Sequence, residues 1–217
     1  MKLAIIGASG FVGSQLLKET LRRGYMVTAF VREPKNINLQ HTNLIVKKVN
    51  VVNENELSSF LVGHDIVLSA YNPGWKNPNI YNDFITGSKS IQNATKKAGI
   101  KRLLVVGGAG TLEIKSGVQL VDTPEFPTEI KQGAIGARDY FNILRKEDDL
   151  DWTVLIPAIS MSTETSGIRT GNYRVGINQP VFDQEGESKI SVEDLAVALL
   201  DEVEKNQFIK QSFTVAY

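Results

Sequence analysis

Gly7-Ala8-Ser9-Gly10-Phe11-Val12-Gly13 stands directly after the apolar run Leu3-Ala4-Ile5-Ile6. It opens a second pattern, in which Val12, Leu16, Leu17 and Leu21 recur at helical spacing. A strand, a glycine turn and a helix in that order form a phosphate-gripping turn. Gly7 permits the tight turn, Gly10 lets the backbone approach a diphosphate, and Gly13 lets helix and strand pack closely. Free amides at the helix start, with the positive end of its dipole, then attract the anion. The segment predicts a dinucleotide site.

Working outward, short apolar runs alternate with helical stripes along most of the chain. Strands are predicted at Lys2–Gly7, Met26–Arg32, Leu44–Val49, Asp65–Ala70, Arg102–Gly107, Trp152–Ile156 and Ser212–Tyr217. Leu103-Leu104-Val105-Val106 is continuously aliphatic, as burial on both faces of a parallel sheet requires. Between the strands, Ile80, Phe84, Ile91, Ala94 and Ala98 mark one helix face, and Ile130, Ala134, Ala137, Phe141 and Leu144 mark another. Gly24 and Gly99 sit where a helix ends in a left-handed residue. Ser191 and Asp194 have the spacing of a capping box. Repeated β-α-β units predict an α/β fold with a doubly wound parallel sheet, a Rossmann fold, formed by residues 1–217 as one NAD(P)-binding domain.

Three stretches interrupt the alternation, at 71–79, 111–128 and 157–189. Each leaves the carboxyl end of a strand, the edge at which open α/β sheets bind ligands. They are read as the walls of a small substrate-pocket region.

Composition removes much alternative chemistry. The 217 residues include no cysteine and only two histidines, His41 and His64. That excludes thiolate nucleophiles, iron–sulfur clusters and disulfide scaffolds, and leaves little for a metal site or a serine–histidine triad. No metal is expected. The 24 basic and 24 acidic groups balance, yet the first fifty residues carry eight basic groups against Glu19 and Glu33. Such an excess suits a phosphate-rich small ligand. No dense Lys/Arg run or aromatic-interleaved basic stripe appears, so no nucleic-acid partner is expected. The longest early apolar run is far short of the ~18 residues that cross a bilayer. No membrane partner is expected, and the chain reads as cytoplasmic. His64, before the fourth strand, and His41 are both read as solvated turn or loop residues.

The second strand decides which dinucleotide. An NAD site usually ends that strand in Asp or Glu, which accepts from the ribose hydroxyls. Here Val27-Thr28-Ala29-Phe30-Val31 ends in Arg32, with Lys35 nearby. A guanidinium there attracts the 2′-phosphate of NADP through paired hydrogen bonds. Glu33 offers the competing arrangement, an ion pair with Arg32. NADP is the expected coenzyme, and NAD the alternative.

These residues carry a resemblance. Gly7 to Gly13, Val67-Leu68-Ser69-Ala70, Arg102 to Gly110, Leu120-Val121-Asp122-Thr123-Pro124, Ile190 to Asp194 and Phe213 to Tyr217 together resemble the atypical short-chain dehydrogenase/reductases. Within them, the chain is similar to bacterial proteins provisionally named NADH-flavin reductases, akin to the NmrA-like and biliverdin reductase B-like families. The resemblance implies that Ser9, Gly10, Phe11 and Val12 hold the pyrophosphate and that Asn50 and Val51 flank the adenine. It also implies that Ser69, Ala70 and Tyr71 line the second ribose, and that Pro157 to Ile159 face the nicotinamide. Many relatives carry aspartate where this chain has Asn50.

One departure bears on chemistry. Members of the wider superfamily that reduce ketones use a Tyr followed four residues later by Lys. Here Tyr25, Tyr71, Tyr81, Tyr140 and Tyr173 are followed at that spacing by Ala29, Trp75, Ile85, Leu144 and Ile177, and Tyr217 ends the sequence. Gly133 and Ala137 stand in the dyad's places. Reactions that generate an alkoxide need a proton donor and are therefore disfavoured. A flavin (FMN or FAD) or a quinone spreads the incoming charge over its rings and takes a proton from solvent, so the protein need only align donor and acceptor. Trp75, Gly108, Phe126, Lys131 and Arg138 are the candidate pocket residues, with Tyr71 beside them. For the aromatics the alternative is loop packing, and for the cations an ordinary solvated surface. The expectation is an NAD(P)H-dependent reductase of a small conjugated acceptor, with no catalytic side chain assigned. The competing function is a non-catalytic NADP(H)-binding redox sensor of the NmrA-like type.

Overall fold

The computed structural model describes all residues, Met1 to Tyr217. Its main sheet contains β1 (Lys2–Ile6), β2 (Met26–Val31), β3 (Leu44–Lys48), β4 (Ile66–Ser69), β5 (Arg102–Val106), β8 (Asp151–Ile156), β9 (Arg174–Gly176) and β10 (Gln211–Ala216). The spatial order is β3-β2-β1-β4-β5-β8-β10-β9. All neighbours are parallel except β9 against β10. The order runs outward from β1 on both sides, Leu3 lying opposite both Val27 and Ile66. A doubly wound sheet reverses direction there and opens a crevice. The turn at Gly7 leaves β1 at that reversal.

Helices α1 (Phe11–Arg22), α2 (Glu54–Leu61), α3 (Ile80–Lys97), α4 (Thr128–Leu144) and α5 (Val192–Lys205) cover the two faces. Alternation along each strand sends neighbours to opposite cores. Leu3 and Ile5 join Leu16, Leu17, Leu199 and Leu200 from α1 and α5. Ala4 and Ile6 join Leu57, Phe84, Ile91 and Leu144 from α2, α3 and α4. Each large aliphatic side chain so buried contributes roughly 1.5–3 kcal/mol before entropic costs.

Local signals behave as their chemistry requires. Gly24 and Gly99 take φ of +77° and +76°, and Ser191 Oγ accepts from the Asp194 amide at 3.0 Å. Three readings need correction. The stretch 111–128 contains a small hairpin, β6 (Glu113–Lys115) with β7 (Val118–Gln119), and 157–189 contributes β9. Strands of two or three residues are too short to show a period. Ile130 stands off the buried stripe of α4 and is 37% exposed. His64 is not solvated: it is 7% exposed, bonded to Thr28 Oγ1 at 2.8 Å and to the Leu61 carbonyl at 2.9 Å. No helix is long and apolar enough to cross a membrane.

Candidate functional site at the carboxyl edge of the sheet

Gly7 takes a φ of +79°, and a Cβ there would stand 2.6 Å from the Ala70 carbonyl oxygen. A Cβ on Gly13 would stand 2.1 Å from the Gly7 carbonyl oxygen. Only glycine satisfies either position, so α1 starts hard against the end of β1. Gly10 donates to the Gly7 carbonyl at 3.0 Å and closes the turn. No side chain caps α1. The amides of Ser9, Phe11 and Val12 donate to no protein acceptor, and Ser9, Gly10 and Phe11 are exposed. A cradle with no room for a Cβ and with outward-facing donors fits a diphosphate by its own chemistry.

Arg32 directly follows β2 and is exposed. The competing arrangement with Glu33 does not form; the Glu33 carboxylate lies 3.9 Å from Lys48. Arg32 makes no ion pair, and Lys35 is equally free in the turn Pro34–Asn36. The charge of Arg32 reaches Tyr71: burial pushes the Tyr71 phenol above its ordinary range, Asp83 adds to that shift and Arg32 opposes it. The glycine turn, Arg32 and Tyr71 therefore share one neighbourhood.

Asn50 follows β3 exposed, its Oδ1 accepting from the Val52 amide at 3.3 Å. Val51 is buried, and its carbonyl accepts from Ser90 Oγ at 2.5 Å. Ser69 ends β4 buried, and Ala70 and Tyr71 continue past the Gly7 turn, half-buried. Pro157 is buried immediately after β8, and Ile159 is exposed.

The pocket candidates divide. Tyr71 turns away: its hydroxyl donates to the Asp83 carbonyl at 3.0 Å, and its ring fills the space a side chain at Gly87 would need. Phe126 packs near Gly110. Gly108 faces α4, where a Cβ on it would stand 3.3 Å from Ala137 Cβ. Arg138 is paired with Asp122 at 2.9 Å and Asp139 at 3.1 Å, so its charge is already answered within the protein. Lys131 is half-buried two turns earlier on α4. Trp75 packs on α4, a Cβ at Gly133 meeting its Cζ3 at 2.7 Å and Ile80 Cδ1 at 2.8 Å.

Sequence reasoning missed two supports of this edge. Asp83 holds the loop 71–79, accepting from Asn77 Nδ2 and Asn79 Nδ2, both at 2.7 Å. Gly87 makes room for the Tyr71 ring. A glycine inside a helix costs about 1 kcal/mol against alanine, so its presence in α3 was the available signal.

Comparison with known proteins agrees with this geometry. The sequence profile described as NAD(P)H-binding matches residues 7–205. The uncharacterized protein YwnB of Bacillus subtilis is 34% identical over 217 residues, covering 99% of this chain and 98% of its own. A Bacteroides thetaiotaomicron protein provisionally named an epimerase has a solved structure that is 42% identical, with a TM-score of 0.92 over 100% of this chain and 96% of that one. A Streptococcus pneumoniae protein provisionally named an NADH-flavin reductase is 34% identical, with a TM-score of 0.84 over 100% and 99%.

Proposed function

The chain belongs to the NAD(P)H-binding family, and on that premise we propose that it is an NADPH-preferring oxidoreductase that passes hydride to a flavin, a quinone or a similar conjugated acceptor. The observation that carries this reading is the crowding at Gly133. A proton-donating side chain cannot stand there while Trp75 and Ile80 occupy its space. Nor is another phenol free. The hydroxyls of Tyr25, Tyr71, Tyr81, Tyr173 and Tyr217 already donate to Glu204, the Asp83 carbonyl, Asp139, Asp201 and Asp194, and Tyr140 is buried. Acceptors whose reduction needs a protein acid are therefore disfavoured, and ring systems that delocalise charge are favoured.

In this reading the amides of Ser9, Phe11 and Val12 grip the diphosphate, Gly7, Gly10 and Gly13 shape the turn that presents them, and Arg32 answers the 2′-phosphate by charge and paired hydrogen bonds. Asn50 and Val51 flank the adenine, Ser69, Ala70 and the backbone of Tyr71 form the wall along the second ribose, and Pro157 faces the nicotinamide. A reduced nicotinamide bound there supplies two electrons as hydride, leaving oxidised, while solvent supplies the acceptor's proton. The provisional name of the Streptococcus pneumoniae relative supports this reading; against the epimerase name of the Bacteroides relative stands the missing Tyr–Lys dyad.

The test mixes purified protein with NADPH and FMN, FAD or a quinone and follows the nicotinamide absorbance band. Oxidation well above the uncatalysed background is expected. Tight NADPH binding with no turnover across a broad acceptor panel would replace the enzyme with a redox sensor.

A further inference from the structure

Resting on the hydride-transfer reading, we propose that Trp75 is the stacking platform for the acceptor, and that Gly133 is glycine so that this ring can lie where the proton donor of a ketone reductase would stand. The edge is continuous from the coenzyme turn to this ring. Gly7 touches Ala70 and Tyr71, the loop continues to Trp75, and Trp75 lies on Gly133 of α4. Of the three aromatics on the loops 71–79 and 111–128, Tyr71, Trp75 and Phe126, Trp75 is the exposed one. Tyr71 is bonded through its hydroxyl and packed on Gly87, and Phe126 lies against the hairpin region near Gly110. Trp75 is anchored on one side by Gly133 and Ile80 yet remains 55% exposed.

The ring is also held in place. Asn72 Oδ1 accepts from the Gly74 amide at 2.7 Å, Gly74 takes a φ of +112°, and Asp83 binds Asn77 and Asn79 beyond it. A fixed, half-open indole selects flat, π-conjugated acceptors, because stacking tolerates varied substituents on a ring but gains little from an aliphatic ketone. Specificity and the missing acid thus come from the same pair of residues.

The test combines kinetics with fluorescence. Trp75→Ala should raise KM for FMN or a quinone about tenfold, the loss of one stacked ring. It should leave kcat and the NADPH Kd within about twofold, and Trp75→Phe should recover most of the loss. Gly133→Ala keeps the indole but pushes it aside, and should raise KM in the same sense. FMN added with NADP should quench indole emission in the wild type and not in Trp75→Phe. Trp152, buried and edge-on to Phe141, supplies the unquenched reference. An unchanged acceptor KM in Trp75→Ala, or equal quenching in Trp75→Phe, overturns the platform while leaving hydride transfer intact. A wild type that turns over no acceptor overturns the functional reading instead, and absent quenching then overturns the platform as well.

Discussion

The carboxyl edge around Gly7 and the surroundings of α5 treat polar groups in opposite ways. Around Gly7, amides at the start of α1 have no protein acceptor and Arg32 has no carboxylate. Toward α5, nearly every charge is answered. Asp194, wholly buried, accepts from the Thr170 hydroxyl and amide, the Gly171 amide and the Tyr217 hydroxyl. Glu19 takes Arg23 and Arg169. Arg102 reaches Glu202 at 2.6 Å, Thr153 Oγ1 at 2.7 Å, the Asp151 carbonyl at 2.8 Å and Asn206 at 3.1 Å. Buried groups are satisfied within the protein, and exposed donors at a helix start stay open to an anion. Charge alone does not distinguish a site from a scaffold; partnership does.

The largest test of that contrast lies on the satisfied side. Arg102→Ala leaves Glu202 buried without its cation, and removing one member of a buried pair costs about 3–5 kcal/mol. Urea denaturation should show that loss while calorimetry finds the NADPH Kd within about twofold of wild type. A loss under about 1 kcal/mol would mean that the network is surface decoration. Gly13→Ala comes next and acts on both sides. Its Cβ would sit 2.1 Å from a backbone oxygen, so α1 must shift, costing roughly 1–3 kcal/mol of stability. The amides of Ser9 and Val12 move with it, so coenzyme binding should fall too. Normal binding by this variant would detach the glycine turn from the diphosphate.

The same contrast explains what could be read in advance. The turn at Gly7 and the seven longer strands were legible because their signals are local: glycines at fixed spacing and unbroken aliphatic runs. Arg32 was legible as a candidate, but its freedom was not, since the cation nearest Glu33, Lys48, sits on a neighbouring strand. Arg138 looked equally promising and is instead paired with Asp122 and Asp139. His64 was misread because its partner Thr28 and the packed ring of Phe30 come from a different strand. The contact of Trp75 with Gly133 joins a loop to a helix distant in sequence, and no periodicity reports such a pair. Local chemistry nominates residues; tertiary partners decide among them.

Arg32→Ala addresses the unsatisfied side alone. With no internal partner to lose, the folded state should keep its stability, and NADPH affinity should fall by on the order of 1–3 kcal/mol through the lost charged hydrogen bonds. NADH, which lacks the 2′-phosphate, should bind nearly as before. Equal losses for the two coenzymes, measured by calorimetry, would remove Arg32 from phosphate recognition.

The smallest effect is a titration on the satisfied side. Burial holds the His64 imidazole below its ordinary range, Leu61 and Asp65 opposing that shift and Lys2 and Lys47 reinforcing it. The Leu61 carbonyl needs a donor, so Nδ1 carries the hydrogen and Nε2 accepts from Thr28. A proton on Nε2 would oblige the Thr28 hydroxyl to turn and accept instead, and would place a charge in a buried site. As pH falls through about 6.5, the unfolded chain binds a proton that the folded protein refuses, so stability present above that pH declines below it. The carboxylates held low by their partners, Glu19, Asp194 and Asp201, lose their contribution only at more acidic pH. Between about pH 7.5 and 5.5 the His64 imidazole is therefore the group on which this pH dependence rests. Urea midpoints across that window should fall in the wild type and stay flatter in His64→Gln. Parallel declines in the two proteins would show that His64 takes up its proton in the folded state as readily as in the unfolded one.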